Sequence, residues 1–144
     1  MPLTAEKWDR RFMSLAHLVA SWSKDPRTQV GAVIVVDRVV LGMGFNGFPR
    51  GVEDRPDRYS DRPTKYQYVV HAEANALINT SGSVRDATLY TTLAPCVECT
   101  KLLIQAGIQR VVIEREHDEG WSAAAQNMLR EAGVAVEICE TIDV

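Results

Sequence analysis

Cysteine is scarce in this sequence: three residues in 144, an odd number. That argues against a secreted scaffold stapled by disulfides, since such scaffolds use even sets of cysteines. Long apolar runs are missing too. No stretch reaches the roughly 18 apolar residues that would cross a bilayer, and the first residues lack the layout of a signal peptide. The expected compartment is therefore the reducing cytoplasm, with no membrane partner. Charge of one sign is not in excess either, with 16 Lys and Arg against 19 Asp and Glu and a net charge of −3. This argues against a sequence-independent grip on phosphate backbones, so no nucleic-acid polymer is expected, although a local basic pocket remains open. There is no internal repeat, linker or low-complexity tract. With 46% hydrophobic and 24% charged residues, the chain reads as one globular domain, 1–144, able to bury a core.

What is present centres on two short segments, His71-Ala72-Glu73 and Pro95-Cys96-Val97-Glu98-Cys99. One imidazole and two thiols make three metal ligands, and a carboxylate stands two residues from the imidazole. A structural zinc usually takes four protein ligands, whereas a catalytic zinc takes three and leaves a position for water. His71, Cys96 and Cys99 supply three, and Glu73 is then the base for that water. Cys96 at a helix start gains from the dipole there, which favours the thiolate. Cys96 and Cys99, at i and i+3, share one helical face and can grip one ion. His17, His117 and Cys139 are the alternatives for closing a structural four-ligand site. That reading leaves Glu73 without a purpose, and Cys139 reads better as an inert buried thiol in the last strand.

The elements around these segments follow from periodicity and punctuation. Thr4 to Ser23 reads as an amphipathic helix capped by Thr4, with Trp8, Phe12, Leu15 and Val19 on its core face and His17 as a structural histidine. Ser23-Lys24-Asp25-Pro26-Arg27-Thr28 breaks that helix at Pro26, and from composition alone it is a solvated turn. Val30–Val36 and Val39–Phe45 form a hairpin about Asp37-Arg38, and Gly42 and Gly44 suggest a bulge or a close backbone approach. Asn46-Gly47-Phe48-Pro49 reads as a turn suited to positive φ. The segment from there to Tyr68 has no clear period and reads as a lid or rim loop leading into His71. A helix follows over Val69–Asn79, then a strand over Thr88–Leu93 and a helix from Ala94-Pro95 to Ala106 capped by Gly107. Next come a strand at Arg110–Ile113, a helix at Ser122–Ala132 closed by Gly133, and a strand at Val134–Ile138. The helix between the fourth and fifth strands makes those two parallel.

The order H-x-E, then P-C-x-x-C, is the known signature of zinc nucleobase deaminases. In their reaction water adds to the carbon bearing the amine and ammonia leaves. Nearly the whole chain resembles the deoxycytidylate (dCMP) deaminase family, through SKDPRTQVGAVIV (Ser23 to Val35), GFNGFPRG (Gly44 to Gly51), HAEANALIN (His71 to Asn79) and PCVECTKLLIQAGI (Pro95 to Ile108). The last two segments fit many deaminases, and the first two narrow the match. The resemblance implies an α/β, three-layer cytidine-deaminase-like fold with a five-stranded mixed sheet flanked by helices. It implies one Zn2+ per chain on His71, Cys96 and Cys99, with Glu73 as proton shuttle. It also implies that the Ala72 N–H meets the base carbonyl, that Asn46 contacts the deoxyribose or base, and that Ser23, Lys24 and Arg27 face the phosphate. The expected reaction is dCMP to dUMP, a precursor of dTTP. Homo-oligomers, often hexamers, are expected, with dCTP activating and dTTP inhibiting near Gly44, Phe45, Asn46 and Gly47. Where many relatives carry a tyrosine after the fourth strand, this chain has Glu114-Arg115-Glu116-His117, and it lacks the insertion that holds a second zinc in some viral relatives. The alternatives are broader dCMP/dCTP or nucleoside specificity, or a deaminase of free bases or tRNA adenosine; those last lack the SKDPRTQVGA segment. A non-catalytic zinc scaffold is the remaining reading, and Glu73 argues against it.

Overall fold

The computed structural model describes residues 2–140. In chain order the elements are α1 (Pro2–Ala20), β1 (Gly31–Val36), β2 (Val39–Phe45), α2 (Pro56–Ser60), α3 (Arg62–Tyr68), α4 (Ala72–Ile78), β3 (Thr88–Leu93), α5 (Val97–Ala106), β4 (Arg110–Arg115), α6 (Ala123–Glu131) and β5 (Ala135–Ile138). The five strands form one mixed sheet of order β2-β1-β3-β4-β5. β1 runs antiparallel to both β2 and β3, whereas β3, β4 and β5 are mutually parallel. The parallel pairs follow from α5 and α6, which carry the chain back across the sheet.

Alternation along the strands divides the core into two layers. Val33, Val35, Tyr90 and Val112 face α1, where they meet Phe12, Met13, Ala16 and Val19. Ala32, Ile34, Leu89, Val111 and Ile113 face the other way, toward Ala72 and Ala76 of α4, Leu103 of α5 and Leu129 of α6. Strands covered on both sides read as unbroken β-branched runs, which is why GAVIVV was visible as a strand. The hairpin closes through Asp37 and Arg38, both at positive φ (49° and 63°), the backbone of a two-residue primed turn. At Gly42 and Gly44 the backbone of α4 lies against β2. A Cβ on Gly44 would stand 2.3 Å from the Ala76 nitrogen and 2.5 Å from the Ala72 oxygen. The expected bulge is present as well, between Ile34 and Val35 in the register with β2.

On the α1 side, Arg110 ties four elements together. Its guanidinium donates to Asp9 Oδ1 (3.0 Å) and Oδ2 (2.6 Å) and to both carboxylate oxygens of Glu137 (2.9 and 2.8 Å). The Tyr90 hydroxyl donates to Asp9 Oδ1 at 2.6 Å. Burial pushes the Asp9 carboxyl up, but the hydrogen bonds from Arg110 and Tyr90 outweigh it and hold the group below its ordinary value.

Several expectations need correction. α1 begins at Pro2, so Thr4 lies inside the helix and not at its cap, and it ends at Ala20, before Ser23. Asn46 and Gly47 do not adopt positive φ; Gly51 does, at 82°. Gly47 instead forms an extended bridge to Val70. The rim segment is not structureless but holds α2 and α3, each with a proline in its first turn. Neither helix has an apolar stripe, because only Tyr59 of the two is buried, and so neither shows a helical period in sequence.

Candidate active site

Both ligand-bearing segments are helix starts brought to one place. His71 is the N-cap of α4, and Cys96, reached directly from the end of β3, is the N-cap of α5. Open α/β sheets collect ligands beyond the carboxyl ends of their parallel strands, and this site lies beyond the end of β3. The His71 Nδ1 is 3.4 Å from each of the two sulfurs, and all three ligand atoms lie within 4.8 Å of one another. The Cys99 N–H donates to the Cys96 sulfur, and hydrogen bonds from Cys99 together with nearby His71 lower the Cys96 thiol to about 3. The hydrogen bond to Cys96 and burial push the Cys99 thiol up. The His71 imidazole is raised, chiefly by its hydrogen bond to Cys96.

This donor set fits zinc. Two sulfurs and one imidazole nitrogen are soft or borderline ligands, unlike the oxygens that hold magnesium or calcium. Among the described residues no other cluster of this kind occurs. The fourth-ligand candidates are engaged elsewhere: the His117 Nε2–H donates to the Ala94 carbonyl at 2.8 Å and His17 pairs with Glu114. Cys139 packs on the α1 side of the sheet.

Glu73, in the first turn of α4, is 4% exposed. Burial pushes its carboxyl up to about 7, against the opposing pull of its own backbone N–H and of His71. A carboxyl poised there can both accept and release a proton near neutral pH. Glu73 lines a cavity of about 210 Å³ with His71, Cys96, Ala72 and Asn46. An outer cleft of about 530 Å³ shares Tyr66, Cys96 and His117 with it as lining.

Of the residues expected to meet substrate, Asn46 and Ala72 line the inner cavity, and Ser23, Lys24 and Arg27 do not. Ser23 is buried, its hydroxyl donating to the Asn46 carbonyl at 2.8 Å. Lys24 points outward to Asp54 at 3.0 Å, and Arg27 is exposed. In the turn proposed for effectors, Gly44 abuts α4, Phe45 stands edge-on to Trp22 at 6.3 Å, and Gly47 bridges Val70. Also lining the cavity are Asp25 and Thr28, expected only in a solvated turn, His117, weighed as a fourth zinc ligand, and Lys65 and Tyr66 of the rim segment. Two side chains brace the segment before Cys96, since His117 holds the Ala94 carbonyl and the Trp121 indole N–H donates to that of Pro95 at 3.0 Å. Asp25 and Thr28 lie within the Ser23 to Val35 segment that carries the family resemblance, whereas nothing in the sequence marks Lys65 or Tyr66.

Three soft or borderline donors, one buried carboxylate and a cleft beyond a strand end are the arrangement expected of a single-zinc hydrolytic centre. The comparisons narrow the class. The family described as "Cytidine and deoxycytidylate deaminase zinc-binding region" matches residues 6–115. A mouse protein named deoxycytidylate deaminase is 42% identical over 137 residues, covering 89% of this chain and 77% of its own length. An uncharacterized deaminase of Aliivibrio fischeri is 39% identical over 136 residues, covering 90% of this chain and 92% of its own. The crystal structure of dCMP deaminase from cyanophage S-TIM5 in complex with dCMP and dUMP superposes with a TM-score of 0.74 at 32% identity, covering 89% and 93% of the two chains. This chain belongs to the cytidine and deoxycytidylate deaminase family. It is a zinc-dependent deaminase, with His71, Cys96 and Cys99 as the donor cluster.

Proposed function

We propose that the chain deaminates dCMP to dUMP by hydrolysis, releasing ammonia. The observation that carries this reading is the buried Glu73 carboxylate, set in the same cavity as the three-donor cluster. Zinc held by that cluster supplies Lewis acidity toward an incoming water. Glu73 takes one proton from the water and delivers it to the ring nitrogen, then takes the second from the hydroxyl of the tetrahedral adduct and delivers it to the departing amino group. The water oxygen bonds to the carbon, the carbon–nitrogen bond breaks, and ammonia leaves. The Ala72 N–H, on the cavity wall, holds the base carbonyl, and Asn46 contacts the sugar or base. The relatives named above support the choice of substrate.

Ser23, Lys24 and Arg27 serve the phosphate side of the pocket. The Lys24 side chain is 70% exposed, and its contact with Asp54 is a surface pair, a kind worth little and readily exchanged. Regulation by dCTP and dTTP near Gly44, Phe45, Asn46 and Gly47, a hexameric assembly and a cytoplasmic location complete the reading. Among the described residues no helix is long and apolar enough to cross a membrane. The test is ammonia release from dCMP, deoxycytidine, dCTP and CMP. The highest kcat/KM is expected for dCMP, and equal or better turnover of deoxycytidine refutes recognition of the phosphate.

A further inference from the structure

α3 carries Lys65 and Tyr66 on the wall of the inner cavity, yet none of its seven residues is buried, and its aromatic packing is confined to its last residue, Tyr68, whose ring lies 5.7 Å from that of Phe48. What holds its middle is charge. The Lys65 Nζ lies 2.6 Å from Asp25 Oδ2, with the two side chains 12% and 0% exposed. Lys65 is also the one lysine or arginine lining the inner cavity among the described residues.

Asp25 is the hub of the opposite partner, the loop before β1. Its Oδ1 accepts the N–H groups of Arg27 (2.9 Å) and Thr28 (3.2 Å), and its Oδ2 accepts the Asn46 amide at 3.4 Å. The Asn46 amide in turn donates to the Thr28 carbonyl at 2.8 Å, and its Oδ1 accepts the Val30 N–H at 2.9 Å. The orientation of Asn46 and Thr28 is thus set through one buried carboxylate, which Lys65 neutralises. A substrate phosphate is a poor competitor for Lys65, because taking it would strand that carboxylate without a counter-charge.

We propose that Lys65 is a positioning residue for the nucleotide. Its ion pair with Asp25 anchors α3, and with it the neighbouring Tyr66 ring, beside the cavity, and at the same time fixes the loop that presents Thr28 and Asn46. Tyr66 is 64% exposed and borders both the inner cavity and the outer cleft, where a bound base or sugar can cover it. Substrate affinity, and not proton transfer at Glu73, depends on this pair. The proposal rests on the deaminase reading of the same cavity.

Hydrogen exchange and steady-state kinetics on zinc-loaded Lys65→Met, Asp25→Asn and the double variant test it. Removing one partner of a buried charge pair leaves the other uncompensated, and a loss of about thirtyfold in the substrate affinity that the pair supports is expected. Lys65→Met is therefore expected to raise KM for dCMP by that factor with kcat within about threefold, and to speed amide exchange in residues 62–69 while β1 and β3 stay protected. The amide introduced by Asp25→Asn can keep the loop's N–H bonds without a charge. Adding Asp25→Asn to Lys65→Met should therefore recover about tenfold in KM, leaving α3 exchange fast. Unchanged exchange in α3, an effect on kcat alone, or single-variant effects on KM that simply multiply in the double variant overturns the proposal. Should Lys65→Met fail to fold, the charge-neutral double variant carries the test, and α3 protected as in the wild type overturns it. A wild-type protein that leaves dCMP untouched refutes the substrate reading instead, and the exchange experiment still decides the ion pair.

Discussion

Replacing Gly44 by alanine adds one methyl group at the place where β2 and α4 touch backbone to backbone. The new Cβ would stand 2.3 Å from the Ala76 nitrogen and 2.5 Å from the Ala72 oxygen, whereas ordinary contact begins near 3.4 Å. Neither partner is a flexible side chain, so α4 has to retreat by about 1 Å, and overpacking of this kind costs about 1–3 kcal/mol. α4 starts at the His71 cap and carries Glu73 in its first turn, so the retreat moves a metal ligand and the carboxylate together. A misplacement of about 1 Å is enough to reduce turnover by roughly 10²-fold. Thermal unfolding, zinc content and kcat/KM, measured on the same preparation of Gly44→Ala, check this. A lowered Tm, weakened zinc retention against a chelator and a drop of about 10²-fold are expected. A variant with wild-type Tm and wild-type turnover would refute the claim that this contact sets the position of the site.

Cys99→Ala removes a ligand and should lose zinc and lower Tm, since the starts of α4 and α5 are tied through the ion; stoichiometric zinc after dialysis contradicts the ligand assignment. Asp9→Ala should destabilise by about 1.5–3 kcal/mol, the range for hydrogen bonds to charged groups. Because the Asp9 pKa is held below its ordinary 3.8 in the fold, that stabilisation is full above pH 4 and fades as pH falls through the lowered value. The Tm gap between wild type and Asp9→Ala should therefore close in acid, and a gap that widens there overturns the assignment. Lys24→Ala and Arg27→Ala should each cut kcat/KM for dCMP relative to deoxycytidine by roughly 10- to 150-fold, as expected for losing a bond of about 1.5–3 kcal/mol. If neither moves the ratio, the phosphate is held elsewhere, with Arg50 or a neighbouring subunit next to test.

The donor cluster and the carboxylate beside it were legible in the sequence because each pair of residues is local. His71 and Glu73 are two residues apart, and Cys96 and Cys99 are three apart at a helix start, so short-range geometry already fixes their relation. The sheet was legible for a similar reason, since buried β-branched runs bounded by Asp37-Arg38, Gly107 and Gly133 leave few alternatives. What escaped depends on distant partners or on absent burial. Lys65 and Asp25 are 40 positions apart, and nothing local marks either as half of a buried pair. α2 and α3 escaped because exposed short helices carry no apolar period, although Pro56 and Pro63 each sat where a helix can begin. Asn46 and Gly47 do not take the positive φ of a turn because Gly47 bridges Val70 and the Asn46 side chain is bonded to Val30 and Thr28, partners that composition alone does not reveal.

Glu73 is proposed to move the proton in a site whose metal ligands are His71, Cys96 and Cys99. Glu73→Gln keeps the shape and the hydrogen-bonding reach of the buried side chain while removing its ability to take a proton. Zinc stoichiometry and single-turnover release of ammonia from dCMP, measured together on this variant, test that claim most directly. One zinc per chain, an unchanged Tm and a turnover lowered by about 10²- to 10⁴-fold are predicted. Turnover within a few-fold of wild type, at full zinc occupancy, would contradict it.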